Sequence, residues 1–237
     1  KLGDPPATEE AKNFDAVYSP RIALLKEISP NLSAFMSYAQ GYSPPTSAEL
    51  YPSTSTFNNT LRPEIGTNLE LGMKGRFLNK QLLAEVTGYQ FFLKDAIVIQ
   101  RTDAGMEYFI NAGETDQLGI EAQLAWAPVW QRSPVDLKLW TSYNLSNFLF
   151  EDYIAPDGAT DYSGNELTGV PQNIFVAGLD VTSDRGIYLN TTYTYTDKIP
   201  LNDINSAYAD ASHLLTAKLG YQLAMKDVSL NFFAGVD

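Results

Sequence analysis

The chain has 237 residues, 44% hydrophobic and 19% charged, a composition that argues against disorder. A formal net charge of -12 argues against nucleic acid as a partner, and the lack of cysteine excludes both a disulfide framework and a thiolate metal site. No apolar run approaches the roughly 18 residues of a membrane helix, since pieces such as Ala96-Ile97-Val98-Ile99 are too short. A membrane β-barrel is not excluded, because its strands need only alternate apolar and polar residues.

Period-two alternation is the main structural signal along the chain. It predicts strands over 16–27, 31–42, 64–77, 81–101, 106–127, 134–150, 167–182, 186–197, 208–224 and 228–237. In the stretch from Val135 to Thr141, Val135, Leu137 and Leu139 fall on one face, and Asp136 and Lys138 on the other. Ile187, Leu189, Tyr193 and Tyr195 make a second such face, and no stretch repeats at the helical period. About ten residues at ~3.3 Å each, tilted by about 40°, cross roughly 25 Å, the height of a membrane barrel's apolar band. Lys138 and Glu121 are therefore expected to face a wet lumen, and Leu139 to face lipid.

Connections between these strands alternate in length. Short ones fall at Ser29-Pro30, Leu78-Asn79-Lys80, 128–133, Ser183-Asp184-Arg185 and Met225-Lys226-Asp227, and long ones over 43–63, 151–166 and 197–207. The exception is Thr102-Asp103-Ala104-Gly105, which is short where a long loop is due. Short turns on one rim and long loops on the other mark outer-membrane barrels. The 14 Tyr, 12 Phe and 3 Trp suit a membrane boundary, though a β-sandwich is also rich in aromatic residues. Tyr38, Tyr42, Tyr89, Phe91, Tyr143, Phe148, Tyr193 and Tyr195 are expected to form a belt at the long-loop end, with Trp126 and Trp130 at the other.

Several motifs then carry a family resemblance. Phe35-Met36-Ser37-Tyr38-Ala39-Gln40-Gly41-Tyr42-Ser43-Pro44-Pro45 resembles a strand and loop start of TonB-dependent receptors. The stretch Leu61-Arg62-Pro63-Glu64, continuing through Asn68, Glu70 and Gly72 to Lys74, is similar to a further strand of that family. So are Asn111-Ala112-Gly113 with Gly119-Ile120-Glu121, Leu167-Thr168-Gly169-Val170-Pro171, and the final Ala234-Gly235-Val236-Asp237. The resemblance implies an all-β, antiparallel, up-and-down transmembrane barrel, of which this chain supplies about ten of twenty-two strands. It implies that residues 1–237 are the C-terminal portion of the barrel, with the N-terminal plug domain outside this chain. Lys1 follows no signal-peptide pattern and the last residues read as mid-strand, which fits a trimmed piece.

By the same resemblance the function is active uptake of a scarce nutrient across the bacterial outer membrane, with a ferric siderophore or related iron complex as cargo. Its partners are TonB, reached through the missing N-terminal region, and outer-membrane lipid. No enzyme activity, resident cofactor or protein-bound metal is expected. Ligand-contact candidates lie in two long loops. Tyr51 and Phe57 sit among Ser, Thr and Asn, a mixture suited either to ligand capture or to packing of loop on loop. Glu151, Asp152, Asp157 and Asp161, with Glu166, could attract a cation or bind Ca²⁺ through oxygen, or simply form a solvated acidic loop. His213, the single histidine, is expected at the membrane interface or in the lumen. Two other readings remain open at this stage. A passive ten-stranded pore would close its first strand on its last, and a soluble adhesin-like sandwich would stack two sheets.

Overall fold

The computed structural model describes residues 12–14, 16–52, 57–101, 105–111, 113–155, 159–226 and 228–237. Ten of its strands make one antiparallel sheet: β1 (Arg21–Ser29), β2 (Leu32–Ser43), β3 (Glu64–Phe77), β4 (Leu82–Lys94), β7 (Glu114–Trp126), β8 (Val135–Asp152), β9 (Asn173–Ser183), β10 (Ile187–Thr196), β13 (Ser212–Ala224) and β14 (Ser229–Val236). Each pairs with its neighbours in chain order. Two small hairpins, β5 (Ile97–Arg101) with β6 (Glu107–Asn111) and β11 (Ile199–Pro200) with β12 (Tyr208–Ala209), stand outside that sheet. The one helix among the described residues is α1 (Ser47–Leu50).

Cross-strand register sorts the side chains onto two faces. One row runs Leu137–Val181–Leu189–Leu219–Ala234, and the next Leu139–Leu179–Thr191–Ala217–Val236. On the opposite face run Ser33–Lys74–Glu85–Gln123–Ser142 and Lys138–Asp180–Asn190–Lys218. The polar face is the concave one. Lys74, Glu85, Gln123, Lys138, Trp140 and Ser142 line a hollow of about 720 Å³ in it. Lys138 and Glu121 therefore point inward and Leu139 outward.

The outward apolar side chains meet no second layer. Leu71 is 66%, Leu24 61% and Leu219 57% exposed. The whole chain exposes 16153 Å², where a soluble monomer of its mass exposes roughly 10,600 Å². Among the described residues the buried hydrophobic ones are Leu61, Ala96, Phe150, Tyr153 and Ala155, all in the loops or at the loop end of β8. A sheet that keeps its apolar face bare at ~25 cal/mol per Å² needs an apolar solvent. Neither two stacked sheets nor pairing of β1 with β14 occurs among the described residues, so the sheet is an open wall.

Outward aromatics form a row at the long-loop end. Tyr143, Phe175, Tyr195 and His213 face one another across β8, β9, β10 and β13. The Tyr193 hydroxyl lies 2.8 Å from His213 Nδ1. Tyr89, Phe91 and Phe148, expected in this belt, instead point inward. Their register partners are Gly119, Gln117 and Glu70 or Asn68. Parity decides this: each stands an even number of residues from a polar inward position such as Glu85 or Ser146.

Two of the expected long strands are broken. The 81–101 stretch stops at Lys94, where Asp95 takes a left-handed φ of 56°, and restarts as β5. The 106–127 stretch breaks between β6 and β7 at Gly113, with φ 67°. The hairpin between these breaks rises from the rim. The short connection expected at 102–105 falls between β5 and β6, with 102–104 outside the described residues, and the connection from β4 to β7 is long. All long loops (44–63, 95–113, 153–172 and 197–211) thus share one rim. Residues 167–172, expected to be strand, belong to the third of them.

Candidate functional site

The rim is where the chain builds a packed, hydrogen-bonded surface. In the loop 44–63, Thr46 caps α1: the Glu49 N–H donates to its hydroxyl, and the Thr46 N–H donates back to the Glu49 carboxylate at 2.6 Å. This capping box fixes the start of a helix only one turn long. Tyr51 follows it, and its ring lies 4.9 Å from that of Phe57. The two candidate aromatics thus pack on each other, Tyr51 half exposed and Phe57 partly covered. Leu61 is buried at the loop's end, where the Lys12 ammonium donates to the Leu61 and Asn59 carbonyls.

A clasp joins this loop to the β5–β6 hairpin. The Arg62 N–H donates to Asn111 Oδ1 at 2.7 Å, and Asn111 Nδ2 donates to the Arg62 and Asp95 carbonyls at 2.9 and 2.6 Å. The Arg62 guanidinium pairs with the Asp95 carboxylate at 2.5 Å. Glu64 accepts from the Ile97 N–H at 2.8 Å, and Asn58 Nδ2 donates to the Phe109 carbonyl at 2.7 Å. Two motifs far apart in sequence, Leu61-Arg62-Pro63-Glu64 and Asn111-Ala112-Gly113, therefore meet in space and hold the rim. Neither Asn111 nor Glu64 is a site candidate from sequence, although both stand in the quoted motifs.

The hairpin in turn docks on the loop 153–172. Phe150 and Tyr153 form a small core, with Val98 and Ile110 from the hairpin and Tyr162 and Leu167 from the loop. Gly113 lies so close beneath that a Cβ there would sit 1.3 Å from the Asp152 carbonyl oxygen. The acidic candidates occupy the outside of this core: Glu151, Asp152 and Asp161 are all exposed. Asp161 accepts from the Ser163 N–H at 2.9 Å. The Ser163 hydroxyl, then its N–H, hold that carboxyl below the usual range. Asp157 lies outside the described residues. Among the described residues no group of three or more carboxylate, imidazole or thiol side chains is placed to hold a metal ion.

Further along, the loop 153–172 is stitched to 197–211. Asn205 Oδ1 accepts from the Glu166 N–H at 2.7 Å and its Nδ2 donates to the Glu166 carbonyl at 2.9 Å. The Tyr208 hydroxyl donates to the Glu166 carboxylate at 3.1 Å, and desolvation followed by that contact raises the phenol's pKa. Glu166 is thus a structural tie and not a free charge. Asp197 sits at the rim's base. Asn173 Nδ2 donates to it at 2.7 Å, and this bond is the largest cause of its depressed pKa, ahead of the Lys198 N–H.

The result is one hydrogen-bonded loop layer at the edge of the polar, concave face of the sheet. Its exposed chemistry is a carboxylate group on one side and the Tyr51–Phe57 pair on another. Below it the inner wall carries Lys74, Arg76 and Lys138 beside Glu85. Asp180 accepts from Trp140 Nε1 and Asn190 Nδ2. Such a surface offers carboxylates, hydrogen-bonding groups and exposed rings that can bind a polar solute.

Comparison with known proteins agrees with this arrangement. In solved structures the chain is similar to the siderophore receptor PiuA from Acinetobacter baumannii, at 18% identity and a TM-score of 0.69, covering 91% of this chain and 31% of that one. It is similar to the ferric yersiniabactin uptake receptor FyuA from Yersinia pestis, at 17% identity and a TM-score of 0.64, covering 90% and 31%. It is also similar to the ferric citrate transporter FecA in its unliganded form, at 15% identity and a TM-score of 0.69, covering 92% and 32%. The chain thus spans about a third of the length of the structures it matches, and at these identities the likeness shows the fold. The family model described as TonB dependent receptor-like, beta-barrel matches residues 3–237. With its open ten-strand wall and single loop rim, the chain belongs to the TonB-dependent receptor β-barrel family.

Proposed function

We propose that this chain is the C-terminal part of the barrel of an outer-membrane receptor that takes up a ferric siderophore or related iron complex. The observation that carries this reading is the pairing of a bare apolar outer face with a polar inner face beneath one continuous loop layer. The solved relatives named for a siderophore, ferric yersiniabactin and ferric citrate support an iron complex as cargo. In this account the loops capture the complex at low concentration. A plug domain outside these residues bars passive flow, and TonB supplies the energy that releases cargo inward. The chain itself makes and breaks no bond. Tyr51, Phe57, Glu151, Asp152, Asp157 and Asp161 are proposed to contact the cargo from the rim.

The test is growth of a strain lacking the complete gene on single iron or cobalamin sources, with radiolabelled uptake alongside. Loss of growth on one ferric chelate, restored by the gene, is the expected result. Unchanged growth and uptake on every iron source would refute iron transport. Alanine at Tyr51 and Phe57, or Asn and Gln at the acidic positions, is expected to weaken capture at the cell surface while barrel assembly is kept.

A further inference from the structure

We propose that four inward aromatic rings, each seated on a glycine of the neighbouring strand, lock the register of the four hairpins whose loops are too long to set it. The pairs are Phe35 opposite Gly72 (β2/β3), Tyr89 opposite Gly119 (β4/β7), Trp140 opposite Gly178 (β8/β9) and Tyr188 opposite Gly220 (β10/β13). A Cβ built on these glycines would lie 2.3, 2.2, 2.1 and 2.2 Å from the facing ring. The rings therefore rest where a side chain would otherwise stand. All four glycines are buried, in a wall whose other residues are mostly half or fully exposed.

The placement of the pairs follows a rule. These four hairpins are the ones closed by the loops 44–63, 95–113, 153–172 and 197–211. In every case the ring is on the first strand and the glycine on the second. Hairpins joined by short turns have their register fixed by the turn itself. A long loop gives no such constraint, because its closure entropy changes only as the logarithm of its length. Slipping such a hairpin by two residues costs the loop almost nothing in closure entropy.

Two devices then divide the work. Alternation of apolar and polar residues forbids a slip by one, which would turn every side chain to the wrong face. It permits a slip by two. The ring-on-glycine seat forbids that one. Displaced by two, Phe35 would face Glu70 or Lys74, and Tyr89 would face Gln117 or Glu121. Trp140 would face Val176 or Asp180, and Tyr188 would face Lys218 or Gln222. Each of these carries a side chain where the ring must lie. Aromatic cover of a glycine is a general means of pinning strands. Phe91 also covers Gly66 across the short-turn pair β3/β4, but diagonally, since its register partner is Asn68.

The experiment uses the full-length receptor refolded from urea into detergent, so that every chain is scored. The 237 residues contain no cysteine, and any cysteine elsewhere in the receptor is replaced by serine so that the introduced pairs report alone. Cysteines at Gln90 and Leu118 mark native register, and those at Gln90 and Asp116, or Gln90 and Ile120, mark a slip by two. Tyr89→Leu is expected to raise the slipped disulfide at least tenfold over the parent. Tyr89→Phe, which keeps the ring, is expected to stay at the parent's level. If Tyr89→Leu only lowers stability or yield, with the slipped disulfide no higher than in the parent, the lock is overturned. Trp140→Leu, with native cysteines at Thr141 and Ala177 and slipped ones at Thr141 and Leu179, repeats the test on a second hairpin with the same two outcomes.

Discussion

The wall and the rim of this chain solve opposite problems. In the wall, apolar side chains stand bare on the convex face and the strands hold one another by backbone ladders, with no core beneath. In the rim, a few apolar side chains are buried as in a soluble protein, and loops are tied by hydrogen bonds at 2.6–2.9 Å between side chains and backbone. The contrast locates each solvent. The wall tolerates exposure because hydrocarbon meets it, whereas the rim must make its own interior because water meets it. In the proposed function ligand capture is assigned to the rim, whose loops hold exposed polar groups in fixed positions.

The largest effect expected from breaking this contrast is in the rim core. Tyr153 is 2% exposed between Phe150 and Tyr162, so Tyr153→Ala should cost the loop layer about 3–5 kcal/mol. Proteolysis within 153–172 should become rapid while heat-modifiable gel migration of the barrel stays intact. Loss of barrel migration would mean that rim and wall are not separable.

In the wall the prediction depends on face. Leu139→Arg should destabilise insertion into liposomes by about 2–4 kcal/mol, as expected for a cation on the lipid side. Lys138→Leu, one residue away on the polar side, should change it by less than about 1 kcal/mol. Equal sensitivity at both positions would erase the difference between the faces.

A smaller change is expected at the clasp. Asn111→Ala removes three hydrogen bonds and leaves the Arg62 N–H unpaired, for a loss of about 1–3 kcal/mol confined to 44–63 and the β5–β6 hairpin. Hydrogen exchange should quicken there and stay unchanged at Phe150. Spread of faster exchange to 197–211 would show that the four loops open as one unit.

The smallest effect is that of pH. Asp197 and Asp161 have depressed pKa values, so their stabilisation is full above the ordinary carboxylate value of ~3.9 and is lost as pH falls through the depressed ones. Exchange in 153–172 and 197–211 should therefore be insensitive to these groups from pH 7 to about 5 and rise only below about 4. Loosening between pH 7 and 5 would assign the ties to other groups.

How much of this was legible beforehand follows the same division. Wall strands repeat every second residue, a pattern that survives without knowledge of neighbours, and so their order and the facing of residues such as Lys138 and Leu139 could be read. Tyr89, Phe91 and Phe148 join the expected belt only by their place along the strand, whereas parity turns them inward. The breaks at Asp95 and Gly113 could not be placed by alternation, because the apolar runs Ala96–Ile99 and Tyr108–Ile110 read as continuations of the flanking wall strands. Asn111-Ala112-Gly113 carried a turn signal that period two overrode, and so did Gly169 and Pro171 within the expected 167–182 strand. The Thr46-to-Glu49 spacing announces a capped helix, but one turn falls below any periodic signal. The rim was least legible, since contacts such as Asn205 with Glu166 join residues 39 apart and depend on loop paths that no local pattern encodes. The register seats were hidden too: a glycine in a strand reads as a weakness until the ring across from it is known.

The most direct test of the account is site-directed spin labelling, one residue at a time, over 135–141 of the full-length receptor in lipid vesicles. Labels at Val135, Leu137 and Leu139 should be accessible to oxygen and shielded from a water-soluble nickel relaxant, and labels at Asp136 and Lys138 should show the reverse. A profile with no period of two, or with the phase inverted so that Lys138 meets lipid, would contradict it.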